Sequence, residues 1–387
     1  MVALGSKIDH PPRLLTYILV AVLCGASLAA AHGSWIVHNW HQLQDEDEMF
    51  FQHNTAQIHS VLDCFDKPSA WHGLYRPLTT NLYFYLGRKV LNNRIEVYHS
   101  INLVFVILNA LLLYRLAESF LGPWWAIVPS LLFVSRFAMV EVVLNACEFQ
   151  GLLYVFFTLL SVNLFIRSRK FDSVPLLTLS AVAFSLALIS KESAIVMPAI
   201  LIAYGRLFDD RVTSRPYLVH PIVALSWVAL FVLVIRPLFE HQVTGFTYDL
   251  SPSNVLRNYA AYFLDFSNWL VAPLPDIRMP PQIAALAGTL YVRLLLGLLI
   301  VAQIALFLFP TMLKTQDQRL VAFGFAWFLI ATLPFTIFED RLFMRYSYFG
   351  HAGLALCVGA ILRGTIRLFG SHHLVAHPRV SETAHVA

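Results

Sequence analysis

Apolar residues fall along this chain in blocks of about 20, separated by short polar breaks. A helix of about 20 residues crosses roughly 30 Å of hydrocarbon, so each block predicts a membrane span. Ten spans are expected, at about 13–35, 98–118, 123–141, 150–167, 174–190, 193–208, 218–238, 285–309, 319–338 and 346–366. Two of the breaks are long, 36–97 and about 239–284. Within the second, "NVLRNYAAYFLDFSNWLVAPLP" reads as a helix with two faces. Val255, Tyr259, Tyr262, Phe263, Phe266 and Trp269 share one face, and Asn254, Asn258, Asp265 and Asn268 share the other. Such a helix is expected to lie along the membrane surface rather than cross it.

Composition sharpens the class. The chain has 387 residues, 58% hydrophobic and 13% charged, which is more apolar surface than a soluble domain of that length can bury. The fold class is therefore all-α and polytopic, with one transmembrane domain over 1–366 and a polar tail at 367–387 that is expected to be disordered. The segment "PPRLLTYILVAVLCGASLAAAHGS" has the basic start and small-residue end of a cleaved leader. With so many spans after it, it is expected to stay as an anchor.

A net charge of +4 is too small to suggest a nucleic-acid partner, and none is expected. The placement of charge says more. Lys and Arg collect in "RSRK", "RLFDDRVTSR", "KTQDQR" and at Arg363 and Arg367, while the short loops of the opposite side nearly lack them. The positive-inside rule then puts both termini in the cytoplasm and the segments 36–97 and 239–284 outside. The expected setting is a bacterial inner membrane or its equivalent.

Polar groups at the edge of a bilayer are costly, so their positions carry information. Here they gather on the external edge: Asp45, Glu46, Asp47 and Glu48; Arg76 in "LYRPLTT"; Glu141, Asn145 and Glu148; Lys191 and Glu192 in "SKES"; and Arg345 in "FEDRLFMRYSYFG". Each has a plain explanation when taken alone. The acids read as a solvated loop start, Lys191-Glu192 as a local ion pair, Arg345 as a snorkelling side chain and Pro77 as the lead of a turn. Together they predict an external cavity lined by carboxylates and cations. In such a cavity a carboxylate can take a proton from an acceptor hydroxyl as a glycosidic bond forms, and Lys or Arg can hold a leaving phosphate. A donor with a polyprenyl tail in lipid suits a membrane enzyme of this kind.

Of the four cysteines, Cys24 and Cys357 fall in spans. Cys64 and Cys147 fall on the external side, where either a disulfide or two free thiols fits. The external histidines lack a tight ligand spacing, so zinc is not expected.

The motifs resemble the GT-C superfamily of membrane glycosyltransferases, in which a first span leads into a long external loop opening with an Asp/Glu motif; "DEDEMFFQHN" is similar to it. A nearer resemblance is to the membrane portion of the transmembrane-and-tetratricopeptide-repeat O-mannosyltransferase-like proteins, without the repeats. It is carried in order by "YRPLTTNLYFYL", "YHSINLVFVILNALLLYRL", "VEVVLNACEFQGLLYVFFTLLSVNLF", "ALISKESAIVMPAILIAYGRL", "RNYAAYFLDFSNWLVAPLP" and "RYSYFGHAGLAL", over about 13–366. The chain departs from the family at "SRFAMVE", where His-Pro usually precedes the glutamate matching Glu141, and at Met344, where a Glu commonly precedes Arg-Tyr.

The resemblance implies inverting transfer of a hexose, mannose-like, from a polyprenyl-phosphate donor to a hydroxyl of a protein, lipid or glycan acceptor. It implies Asp47 as the catalytic base with Asp45 in reserve. Arg76, Lys191 and Arg345 would hold the donor phosphate, and Glu46, Glu48, Glu141 and Glu192 would be cavity carboxylates. Some members use a divalent cation held by loop carboxylates and others need none, so that cofactor stays open. Two other classes fit the same residues: a transporter or lipid flippase, for which Arg136 and Pro198 are the main irregularities, and a non-catalytic accessory protein of the same fold.

Overall fold

A computed structural model describes residues 13–67, 75–136, 138–209, 215–239, 247–266, 285–286, 289–308, 313–339 and 342–375. The first half contains α1 (Arg13–Asn39), α2 (Asp45–Gln57), α3 (Asp63–Asp66), a π-helical turn (Pro77–Leu82) running into α4 (Tyr83–Val90), α5 (Ile95–Leu121), α6 (Pro123–Val134) and α7 (Ala138–Leu144). A 3₁₀ turn (Ala146–Glu148) leads into α8 (Phe149–Phe171) and α9 (Val174–Ser190), and a second one (Glu192–Val196) into α10 (Met197–Phe208). Then come α11 (Pro216–Leu230), α12 (Arg236–Phe239), α13 (Pro252–Phe266), α14 (Leu290–Leu308), α15 (Gln316–Thr336), a third 3₁₀ turn (Met344–Ser347) and α16 (Tyr348–Val375). An isolated β bridge joins Tyr248 to Phe338.

Six helical stretches are long and apolar enough to cross a membrane alone: Leu14–Asn39, Ile95–Leu121, Ala146–Phe171, Pro216–Ile235, Gln316–Thr336 and Met344–Arg367. The protein is thus a helical, multi-pass membrane protein. The pair α6–α7 makes a seventh crossing if it is taken as one broken span. The other three predicted spans fall on α9, α10 and the Val292–Ile304 part of α14, all shorter than that measure.

The predicted span 123–141 is not continuous; α6 and α7 meet at 68°. Polar side chains from neighbouring helices account for the break, because backbone groups freed inside a membrane need partners. A ring nitrogen of His32 on α1 donates to Ser135 O at 2.9 Å. Asn102 on α5 donates to Val142 O at 3.1 Å and to Asn145 O at 2.8 Å, holding the far end of α7. Arg136, at the break, is buried and donates to Phe266 O at 2.7 Å, with its guanidinium 3.6 Å from the Asp265 carboxylate.

That contact also shows where the polar face of α13 packs. Its polar stripe does not face solvent: Asn254, Asn258 and Asp265 are all buried. Asn258 donates to Thr336 O at 2.8 Å and Phe338 O at 2.7 Å, and Ser347 donates to Asp265 Oδ2 at 3.1 Å. The stripe serves carbonyls and hydroxyls at the end of α15 and the start of α16, while Tyr259 packs beside Phe328. Asn268 and Trp269 lie outside the described residues. Helix α16 continues to Val375; residues 376–387 of the tail lie outside the described ones.

The tightest seam is between α15 and α16. A Cβ built on Gly324 would collide with Gly353 O, and one on Gly353 with Gly324 O, so the two backbones touch there. Small residues allow such an approach in membrane helices, where dispersion rather than the hydrophobic effect drives packing. The seam fixes the connection between the two helices, which carries Arg345.

Candidate functional site

The acidic run opens α2, and a helix places successive side chains about 100° apart. Glu46 and Asp47 therefore face different ways. Asp47 has no exposure and accepts hydrogen bonds from the backbone N–H groups of Ala146 (2.9 Å) and Cys147 (2.8 Å). It caps the turn that starts α8. Burial pushes its carboxyl up to about 7, against the pull of those two N–H groups. A carboxyl poised near neutrality suits a general base, but this one is sealed off and both its oxygens are taken. Glu48 is exposed and accepts from Gln52 at 3.0 Å. The side chain of Asp45 lies outside what the structure describes.

Glu46 points into a cavity of about 330 Å³, which Arg76, Glu148, Gln150, Lys191, Glu192, Phe335, Arg345 and Tyr346 also line. That volume is at the low end for small-molecule sites. The exposed Ile195 and Tyr248 form part of its rim. Segments some 300 positions apart in sequence meet here, so the co-location read from the sequence is realised for Glu46, Arg76, Lys191, Glu192 and Arg345.

Arg345 sits on the third 3₁₀ turn, held by the α15–α16 seam below it. Its guanidinium binds Glu46 through both terminal nitrogens at 2.9 Å, reaches Glu141 at 2.9 Å, and lies 3.2 Å from Glu148. Burial works to raise the Glu46 carboxyl, but Arg345, with Asn145 and Cys147 donating as well, outweighs it and holds Glu46 below the usual range. One cation thus serves three carboxylates.

Arg76 precedes the π-helical turn, whose Thr79 hydroxyl donates to Ser190 O at 2.8 Å. This ties "YRPLTT" to the end of α9, next to Lys191 and Glu192. π-Helical turns recur at functional sites. Arg76 forms a two-point ion pair with Glu192, at 2.7 Å for Nε, and also donates to Gln150.

Lys191 differs from both arginines. It is buried, and its ammonium lies 5.7, 5.7 and 5.6 Å from the ring centroids of Tyr154, Phe335 and Tyr346. Its ammonium makes no hydrogen bond or ion pair with the described residues. Burial pulls it down to about 8, with Glu148 and Glu192 opposing that shift. Cation–π contact replaces part of its hydration, and Glu148 and Glu192 act on it without pairing directly.

Cys64 and Cys147 are free thiols, so the disulfide alternative is not the one the structure adopts. Cys147 Sγ donates to Asn145 Oδ1 at 3.0 Å, and Cys64 Sγ to Ser60 O at 3.5 Å. Glu46, Cys147 and Glu148 bring one ligand-type atom each within 4.8 Å of one another. Arg345 already supplies the counter-charge to both of those carboxylates, so the donor set does not call for a metal ion.

Sequence reasoning placed Glu148 on this edge without giving it a role, and it overlooked Gln150 and the rings of Tyr154 and Phe335. The signal for Glu148 was an acid at the head of an apolar run, a costly position unless paired. Gly151 carried a second signal: a Cβ there would come 3.1 Å from Glu148 Oε2, so glycine leaves the carboxylate room. No family model matches the chain, and no curated protein matches it.

Proposed function

We propose that this protein is an integral-membrane glycosyltransferase of the GT-C type, moving a sugar from a polyprenyl-phosphate donor to an acceptor hydroxyl with inversion. The observation that carries the reading is the buried ammonium of Lys191, which forms no hydrogen bond or ion pair with the described residues and faces a cavity that also holds Arg76, Arg345 and three carboxylates. A buried cation without a directly paired anion suits an anionic ligand, and the two arginines add planar donors that match phosphate geometry. The apolar rim at Ile195 and Tyr248 suits a donor whose chain stays in lipid. The charge asymmetry of the loops supports ten spans, with cytoplasmic termini and the cavity at the external face.

In this mechanism Lys191 and Arg76 hold the donor phosphate and stabilise the charge that grows on it as the bond to the anomeric carbon breaks. The acceptor hydroxyl attacks from the opposite side of the sugar. A carboxylate lining the cavity takes its proton; Asp47, sealed behind the Ala146–Glu148 turn, serves to position that wall.

The test uses purified protein in lipid, offered a panel of polyprenyl-phosphate sugars with candidate acceptors, with polyprenyl phosphate release followed by mass spectrometry. The reading expects release with at least one donor and at least a tenfold loss of donor affinity in Lys191→Gln. Absence of release with every donor, from protein shown to be folded, overturns it. For the topology, a cysteine placed at Thr55 should be labelled from outside; labelling only from the cytoplasm refutes the orientation.

A further inference from the structure

We propose that Glu46 is the residue that accepts the acceptor's proton, and that Arg345 restrains it until an anionic phosphate in the cavity draws the guanidinium away. The inference rests on the glycosyl-transfer reading above and makes it specific.

Geometry selects Glu46 among the acids of the first loop. It lines the cavity with its side chain 20% exposed, whereas Asp47 is sealed and Glu48 points elsewhere. The remaining cavity acids are less suited. Glu192 is held by Arg76 through both oxygens, and Glu148 is only 3% exposed.

Glu46 as it stands is a poor base, because a guanidinium occupies both its oxygens. Arg345 has other partners, however. Glu141 and Glu148 also lie on it, so its guanidinium is shared among three carboxyl groups. Tyr346 links this cluster to the anion site: its ring centroid is 5.6 Å from the Lys191 ammonium and 5.9 Å from the Arg345 guanidinium carbon. Lys191 and Arg345 line the same cavity, so a phosphate held at Lys191 would be an alternative partner for Arg345.

Once Arg345 turns to the phosphate, Glu46 loses the guanidinium that occupied both its oxygens, and its proton affinity rises. The other groups facing it are Asn145 and Cys147, which donate to it, and the adjacent Asp47. Donor binding thus switches on the base. The step is then balanced: the acceptor oxygen bonds the anomeric carbon as its proton passes to Glu46. The carbon–oxygen bond to phosphate breaks, and its electron pair leaves with the polyprenyl phosphate beside Lys191, Arg76 and Arg345.

The experiment measures polyprenyl phosphate release at varied pH and donor concentration, with acceptor saturating. In wild-type protein the acid limb of kcat, which reports the donor-bound state, should lie at higher pH than that of kcat/KM, which reports the free protein. Glu46→Gln should lower kcat by at least ~100-fold with donor binding retained, the range expected for loss of a general base. Glu46→Asp should recover part of that loss. Arg345→Lys, unable to clamp both oxygens, should bring the two acid limbs together. Coincident limbs in the wild type, or a Glu46→Gln protein within threefold of wild-type kcat, overturns the inference while leaving the glycosyltransferase standing. Failure of the wild type with every donor removes that reading, and this inference with it.

Discussion

The carboxylate of Asp47 accepts two backbone N–H groups, from Ala146 and Cys147, with no exposure to solvent. Truncation to alanine strands both donors in a dry place. Each stranded donor costs about 1–3 kcal/mol, so the gross loss is about 2–6 kcal/mol. Relief of the buried charge opposes this, and pH controls how much. Burial raises the carboxyl from 3.8 to about 7 in the folded protein, so between those values the fold keeps a proton that the unfolded chain releases. Asp47 therefore contributes its full stability at low pH and loses part of it as pH rises through about 7. Unfolding in lipid nanodiscs, followed by tryptophan fluorescence, should show Asp47→Ala melting on the order of 5 °C below wild type at pH 5. The gap should narrow by pH 8. An equal melting temperature at pH 5, or a gap that widens with pH, would refute the assignment of Asp47 to the wall of the site.

Lys191 should make donor binding weaken as pH rises through about 8, where its ammonium loses its proton, and Lys191→Arg should abolish that fall; titration of a labelled donor at pH 7 and 9 decides it. Its effect on stability has the opposite sense: the cost of the buried charge is full below about 8 and is relieved from there toward 10.5. Gly353→Leu would drive a side chain into Gly324 O, with a loss of at least about 1–3 kcal/mol read as a lower melting temperature. Arg136→Leu alone leaves the buried Asp265 unpaired, a cost of about 3–5 kcal/mol, and the double variant with Asp265→Leu should recover much of it in the same assay.

Much of the architecture was legible because spans announce themselves by length and apolarity, and the cavity was legible because ionisable residues at a membrane edge are costly. What escaped depended on rotation and partners. Glu46 and Asp47 are neighbours in sequence, and only the presence of α2, with its particular roll, sends one to the cavity and the other to the Ala146–Glu148 turn. The polar stripe of α13 carried the right pattern for a surface helix. Its true partners, the carbonyls of Thr336 and Phe338, lie some 80 residues away and leave no local mark. The break at Arg136 was seen as an irregularity, but not as a bend, because what satisfies it comes from His32, Asn102 and Phe266 on other helices.

The contact of Gly324 with Gly353 also bears on how a lipid could reach the cavity. Two backbones in touch leave no gap between them, so the wall made by α15 and α16 is closed to an alkyl chain at that level. On α14, by contrast, Leu294, Leu295 and Leu298 are turned outward. If the proposed lipid-linked donor is the ligand, its chain would have to enter around that hairpin rather than between its two helices.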